Sequence, residues 1–251
     1  MKRVIITGGP TNEPIDEVMK ITNMSTGSLS VALGEYFLKA GYHTTLVLNN
    51  AVNAERLKGE NLEVIRIETT ADMLEALKEL SGDGRDTSAV VHASAVGDYK
   101  SDFSFLLEDM AEELYLKLGE VRSAADILKI LADPECKIDD SSKISSYQKN
   151  LTVKLGLTPK IIGRLREWYP ESLLIGCKLL DNVAKEELFD AARELCAKNR
   201  MDYILANDLS DLRAGKTQRY LVSSGGYTGI SLNTPEDIYN FITTKIHRIV
   251  I

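Results

Sequence analysis

The chain has little of what would place a protein outside the cell or in a membrane. Only three of its 251 residues are cysteine, Cys136, Cys177 and Cys196. Their spacing forms neither a CxxC pair nor a metal-ligand pattern, and a sparse, odd set suits a reducing compartment. No apolar run approaches the ~20 residues of a membrane span. The chain opens directly on a strand pattern, which leaves no room there for a signal peptide, so cytoplasmic residence is expected. Positive charge is not in excess: 30 Lys and Arg against 37 Asp and Glu give a net charge of -7. That argues against a broad nucleic-acid footprint while leaving local positive pockets for phosphates open. The three histidines, His43, His92 and His247, are scattered and read as structural. No catalytic triad, HExxH pair, EF-hand loop or Walker A sequence is present.

What remains is an ordinary globular composition, 44% hydrophobic and 27% charged, with ample length for a core. Residues 3–7 are apolar and β-branched and predict a buried strand. A helix over 27–41 follows, with Gly41 as its cap, then a strand at Thr44–Leu48, a helix over 71–80 and a strand at Ser88–Ala93. This rhythm predicts a parallel sheet with right-handed crossovers. Later come a helix over 159–168 with Thr158 as its N-cap, a strand at Leu173–Cys177, a helix over 183–199 and a strand at Tyr203–Ala206. Arg219–Ser223 and Thr228–Leu232 predict a hairpin, and Thr234 with Asp237 a capping box on the last helix. Between them, apolar residues at helical spacing make 101–132 a helical insertion broken near Gly119, and the polar turn residues of 133–150 make a mobile loop. The expected fold is α/β: one three-layer, Rossmann-like domain over residues 1–251, with a central, largely parallel sheet and a C-terminal β-hairpin addition. No linker divides it.

In open parallel sheets, ligands bind beyond the carboxyl ends of the strands. Four strand ends carry small polar residues: Thr7-Gly8-Gly9, Ala93-Ser94-Ala95-Val96-Gly97-Asp98-Tyr99, Gly176-Cys177-Lys178 and Ala206-Asn207-Asp208. Their agreement points to a nucleotide-sized site. Gly8 and Gly9 let backbone N–H groups approach a phosphate, and Ser25-Thr26-Gly27 offer donors at a helix start. Each has a plainer reading, as a tight turn or a helix cap. Where a nicotinamide fold places its further glycines, this chain has Thr11, Asn12 and Glu13, which argues against a nicotinamide- or flavin-dependent oxidoreductase.

The run Thr7–Val18, TGGPTNEPIDEV, with Ile21-Thr22-Asn23, Ser25-Thr26-Gly27, the 93–99 segment, and Lys198, Asp202 and Ala206-Asn207-Asp208 together resemble the phosphopantothenoylcysteine synthetase family, in its free-standing form without a decarboxylase domain. The resemblance covers most of the chain and is weakest over 101–132. It implies a ligase that activates 4'-phosphopantothenate with a nucleoside triphosphate, CTP favoured over ATP, and passes the acyl group to the amine of L-cysteine. It also implies magnesium and a homodimer. The match places Asn23 at the acyl-nucleotide intermediate and Ser25, Thr26 and Gly27 at the pantetheine phosphate. Gly8, Gly9, Ala93, Ser94, Ala95, Asp98, Cys177, Lys198, Ala206, Asn207 and Asp208 fall to the nucleotide. Metal ligands are not assigned.

Two departures stand out. A Lys-x-Lys-Lys motif of bacterial members is reduced here to Lys143-Ile144-Ser145-Ser146, and Phe-Ala-Ala-Glu is replaced by Cys177-Lys178-Leu179-Leu180. Lys178 is therefore expected to supply phosphate-neutralising charge alongside Lys143. The loss also keeps a non-catalytic homologue, binding phosphopantothenate or nucleotide, as a second reading.

Overall fold

The computed structural model describes residues 2–248. Contacts divide them into two compact units where the sequence predicted one domain: the chain up to Thr11 with Asn23–Val96 and Pro159 onward, and Asn12–Thr22 with Gly97–Thr158.

The first unit is an eight-stranded sheet. With elements numbered along the chain, β1 (Arg3–Gly8), β4 (His43–Asn49), β5 (Leu62–Ile67), β6 (Thr87–His92), β9 (Leu173–Leu180), β10 (Tyr203–Asp208), β11 (Arg219–Ser223) and β12 (Gly226–Leu232) lie in the order β12-β11-β10-β9-β6-β1-β4-β5. All pairings from β5 to β10 are parallel, and β11 and β12 add as an antiparallel hairpin. Strand side chains alternate between the faces. One face packs Val4, Ile6, Leu46, Val91, Ile175, Leu205 and Leu221 under α1 (Ser28–Lys39) and α8 (Pro235–Arg248). The other packs Ile5, Val90, Leu174, Ile204 and Val222 under α2 (Thr70–Gly82), α5 (Leu165–Trp168) and α6 (Lys185–Lys198). The result is the predicted three-layer α/β fold, with near-continuous apolar strands because both faces are buried.

Local chemistry sets the helix ends. Gly41 takes φ 81° just past α1, and Thr69 with Asp72 forms a reciprocal capping box on α2. The predicted box on α8 is present: Asp237 N donates to Thr234 Oγ1 at 3.1 Å and Thr234 N to Asp237 Oδ2 at 2.9 Å. The helix predicted over 159–168 is shorter, only Leu165–Trp168. Thr158 does not cap it, because its hydroxyl donates to Gly97 O and its N–H to Asp98 O within the second unit.

In the second unit, β2 (Asn12–Pro14) pairs with β3 (Lys20–Thr22), and β7 (Tyr99–Leu106) pairs antiparallel with β8 (Leu151–Leu157). The helical insertion expected from residue 101 therefore begins as strand. Phe103 and Phe105 alternate inward onto Met110, a period-2 pattern that the leucines beyond it obscured. Helix follows at α3 (Leu107–Leu116) and α4 (Ala124–Ala132), with Gly119 in a 3-10 turn between them. Residues 133–150 are irregular, as predicted, yet they are held: Ile138 N donates to Ser104 O at 2.8 Å and Ile144 N to Asp16 Oδ2 at 2.8 Å.

Candidate active site

The four strand ends singled out by sequence belong to β1, β6, β9 and β10, which are consecutive in the sheet. Their parallel pairing puts all four carboxyl ends on one edge. From β1 the chain runs outward to β4 and β5, then returns to β6 on the other side. The strand order reverses between β1 and β6, and that crevice is where an open α/β sheet takes its ligand.

Backbone bonds close the floor of this crevice. Ala95 N donates to Gly9 O at 2.9 Å and Thr11 N to Ala95 O at 3.3 Å, stitching the loop after β1 to the loop after β6. Asn23, just ahead of α1, is tied to the loop after β6: its exposed side-chain Nδ2 donates to Val96 O at 3.0 Å and Ala95 O at 3.4 Å. Beneath, Ser94 N donates to Thr7 Oγ1 at 3.2 Å, and Thr7 Oγ1 lies 3.0 Å from His92 Nδ1. Burial pushes the His92 imidazole down to about 4, so it stays neutral near pH 7. Ser94 Oγ is buried with no hydrogen-bond partner among the described residues. Such an orphan needs a reason, and a position in this crevice supplies one.

The two glycine loops meet. Gly9 and Gly27 take φ 83° and 68°, both left-handed, and a Cβ on Gly27 would lie 3.1 Å from Gly9 N. A Cβ on either would strike Val52, so side chains are excluded where the backbones approach. Gly8 has a different role. A Cβ there would lie 2.4 Å from Ser30 Cβ and Oγ, and Ser30 Oγ donates to Thr7 O at 2.7 Å. Gly8 thus lets α1 pack onto β1 rather than offering room to a ligand. Thr26 Oγ1 accepts from Ser28 N at 3.3 Å ahead of α1, and Ser25 lies half-buried beside it.

On β9, Cys177 and Lys178 face opposite sides of the sheet, in register with Leu205 and Ala206. The strand continues beyond both to Leu180. Burial raises the Cys177 thiol to about 11, so it is neutral. Lys178 has no ion-pair or hydrogen-bond partner among the described residues. Ala206 is wholly buried and Asn207 nearly so.

Two predicted nucleotide residues are placed otherwise. The Asp208 carboxylate accepts from Ser210 Oγ and N at 2.6 and 2.7 Å and from Val183 N and Asn182 N at 3.0 Å each. These donors, Ser210 first, hold it well below the usual carboxylate range. It is a clasp between the turn after β9 and α7 (Leu209–Arg213). Lys198 ends α6, the helix that returns antiparallel to the strands before β10 starts at Tyr203. It therefore lies toward the amino edge of the sheet, away from the rim.

Asp98 and Lys143 belong to the second unit. There Asp16, unmarked as a functional residue in the sequence, accepts from Met19 N at 2.6 Å, Ile144 N at 2.8 Å and Val18 N at 2.7 Å. The Met19 N–H, then those of Ile144 and Val18, lower its carboxyl from its ordinary value, with Lys143 adding to the effect. The Asn-Glu-Pro-Ile-Asp spacing after the glycine pair is the only sequence signal for this tether.

A doubly wound α/β sheet with its loops gathered at a switch point defines a class of ligand-binding folds rather than one activity. The family described as DNA/pantothenate metabolism flavoprotein C-terminal domain matches residues 1–135, and the chain belongs to that family. The coenzyme A biosynthesis bifunctional protein CoaBC of Thermococcus kodakarensis is 31% identical over 222 residues, 88% of this chain and 45% of that protein. Phosphopantothenate–cysteine ligase 2 of Oryza sativa subsp. japonica is 24% identical over 253 residues, 93% of this chain and 75% of that one. A crystal structure of the DNA/pantothenate metabolism flavoprotein from Streptococcus pneumoniae superimposes with a TM-score of 0.78 at 30% identity, covering 98% of both chains. The chain spans about half the length of its bifunctional relatives. Among the described residues no helix is long and apolar enough to cross a membrane.

Proposed function

We propose that the protein is a phosphopantothenate–cysteine ligase of coenzyme A biosynthesis, acting in the cytoplasm as a homodimer. The carrying observation is Asn23, whose amide is fixed by Ala95 and Val96 at the switch point of the sheet. In this reading a carboxylate oxygen of 4'-phosphopantothenate attacks the α-phosphorus of a nucleoside triphosphate, and pyrophosphate leaves with the electrons of the broken P–O bond. The amine of L-cysteine then attacks the acyl carbon, gives up a proton, and expels the nucleoside monophosphate. Both partners of the first step are anionic, so the chain must position them and offset their repulsion.

Asn23 is suited to the intermediate because an amide can donate to phosphoryl or acyl oxygen without adding charge. Lys178 is suited to phosphate because no carboxylate in the described chain competes for it, and Lys143 is the second candidate. Gly9, Gly27, Ser25 and Thr26 supply close backbone approach and hydroxyls for the pantetheine phosphate. No group of three His, Cys, Asp or Glu side chains among the described residues could hold a metal ion. Magnesium would be brought to the site on the triphosphate itself. It would then lower the charge that the attacking carboxylate meets.

The test is to incubate the full chain with 4'-phosphopantothenate, L-cysteine, magnesium and either CTP or ATP, and to measure pyrophosphate and monophosphate. Release of both in equal amounts, faster with CTP, is expected. No release with any nucleoside triphosphate would defeat the ligase reading. Binding of phosphopantothenate without release would favour the non-catalytic homologue, which the loss of all but Lys143 from the lysine motif supports. Sedimentation of the same preparation checks the dimer.

A further inference from the structure

Several arginines of the first unit find an acid. Arg3, 1% exposed, is paired with Asp83, and Arg166 Nη2 is 2.7 Å from Asp202. Two on the sheet do not: exposed Arg66 on β5 donates to Asn49 O and Val52 O at 3.1 and 2.7 Å, and the other is Arg219. It begins β11 half-buried, and its one hydrogen bond runs from Nη1 to Thr217 O at 2.9 Å. No carboxylate pairs with it among the described residues.

Its position follows from strand register. Leu205 pairs with Leu221 and Ala206 with Tyr220, antiparallel. One residue further, the same register sets Arg219 opposite Asn207. Leu205, Leu221 and Cys177 share one apolar cluster, so Asn207 and Arg219, each two residues on, face the same side at the carboxyl rim. The acids that could neutralise Arg219 are engaged elsewhere. Asp208 faces the opposite side and is held by Ser210, Asn182 and Val183. Asp237, five residues past the Leu232 that pairs with Arg219, accepts from Asn233 N and Thr234 N. The titratable group that interacts with it is the Cys177 thiol, which burial keeps neutral.

A half-buried guanidinium without a counter-charge costs free energy that an anionic ligand would recover, and its planar fork matches a phosphate. We infer that Arg219 is a phosphate-binding residue of the rim, holding a phosphate group of a ligand on the face it shares with Asn207 and Cys177. Only the identity of the ligand rests on the ligase reading. There the phosphate comes from the nucleotide or from phosphopantothenate.

Titration calorimetry of wild type, Arg219→Met and Arg219→Lys with CTP, ATP, pyrophosphate and 4'-phosphopantothenate separates the two sources. Arg219→Met should weaken a phosphate probe by about ten- to a hundredfold, with Arg219→Lys recovering part of the loss. Loss for CTP, ATP and pyrophosphate alone assigns Arg219 to the nucleotide; loss for phosphopantothenate alone assigns it to that substrate. Unchanged affinity for all four probes, or no binding of any by wild type, overturns the inference. If Arg219→Met does not fold, Arg219→Lys decides, and wild-type affinity for every probe then overturns it. Phosphate binding lost in the variant, from a wild type that shows no ligase turnover, would sink the ligase reading and leave Arg219 assigned. Turnover in wild type with no change in the variants would do the reverse.

Discussion

The side-chain amide of Asn23 is bound to the backbone of Val96, Nδ2 to carbonyl oxygen at 3.0 Å, so a residue just ahead of α1 is fixed to the loop after β6. An aspartate at 23 would be almost isosteric but could not donate, and it would set a negative charge beside two carbonyl oxygens. Asn23→Asp should therefore lower ligase turnover by about a hundredfold or more, as the loss of an oxyanion-type donor does. Asn23 is exposed, so the melting temperature should stay near that of wild type. A variant that turns over normally would remove Asn23 from the chemistry.

Lys178 lies on β9, in register with the buried Ala206, which makes it a charge on a rigid element. Arg213, nearby in sequence order to the same rim, is occupied by Asp181 at 3.0 Å. Replacing Lys178 with Met keeps the stem and removes the charge. Pyrophosphate release without cysteine, which reports the activation half-reaction alone, should fall by about a hundredfold. A near-normal rate would move that role to Lys143 or to Arg219.

Asp16 ties the 133–150 segment to the loop between β2 and β3 through Ile144 N. Its carboxyl is held below the ordinary carboxylate value in the folded chain. The ionised form therefore favours the tether above the unfolded value, and this contribution fades as pH falls through the folded one. Asp16→Ala should speed proteolysis within 133–150 at neutral pH, and wild type should approach the same cleavage rate on acidification. Equal cleavage of wild type and variant at pH 7 would show that the segment is held by something else.

Much of this was legible in the sequence where one signal acted alone. Buried parallel strands read as β-branched runs, and Gly41 and Thr234 marked helix ends by their own chemistry, while the Thr69 capping box went unread. β5 was missed because it is an edge strand whose Glu63 and Arg66 interrupt its apolar residues. β7 was misread because Phe103 and Phe105, spaced by two, run straight into leucines spaced by three and four. β8 was missed because polar residues lead into it and its pairing partner lies 45 or more residues earlier. The candidate site followed the same rule. Strand-end loops were found by composition, whereas Asp208 as a clasp, Lys198 at the far edge and Arg219 beside Asn207 depend on sheet order and register, which no local pattern carries.

His92 offers a pH test that does not depend on any ligand. It is 6% exposed, and burial lowers its imidazole from 6.5 to about 4. The unfolded chain then binds more protons than the folded one between these values, so stability rises with pH across that window. The contribution is present above about 6.5 and is lost as pH falls through 4. Its full size is on the order of 3 kcal/mol. Denaturant melts of His92→Asn, which keeps a polar partner for Thr7, should show a shallower stability slope between pH 4 and 6.5. An unchanged slope would place the acid sensitivity of that window in groups other than His92.

Gly8 separates packing from ligand binding at the opening loop. A methyl group there would sit 2.4 Å from Ser30 Cβ on α1 and 2.9 Å from Leu48 Cδ2 on β4, both buried where little can shift. Overpacking of this kind costs roughly 1–3 kcal/mol. It would also displace the Ser30 hydroxyl from Thr7 O, the bond that fixes the first turn of α1 to β1. Gly8→Ala should therefore lower the melting temperature by ~3–10 °C while leaving nucleotide affinity, measured below the transition, within about twofold of wild type. Gly9→Ala must instead adopt φ 83° against Val52 and Asn49, at the point where the loops after β1 and β6 are stitched together. It should lose both stability and affinity. Equal loss of affinity in the two variants would return Gly8 to the ligand's wall; loss confined to Gly9→Ala would show that only the second glycine faces the crevice.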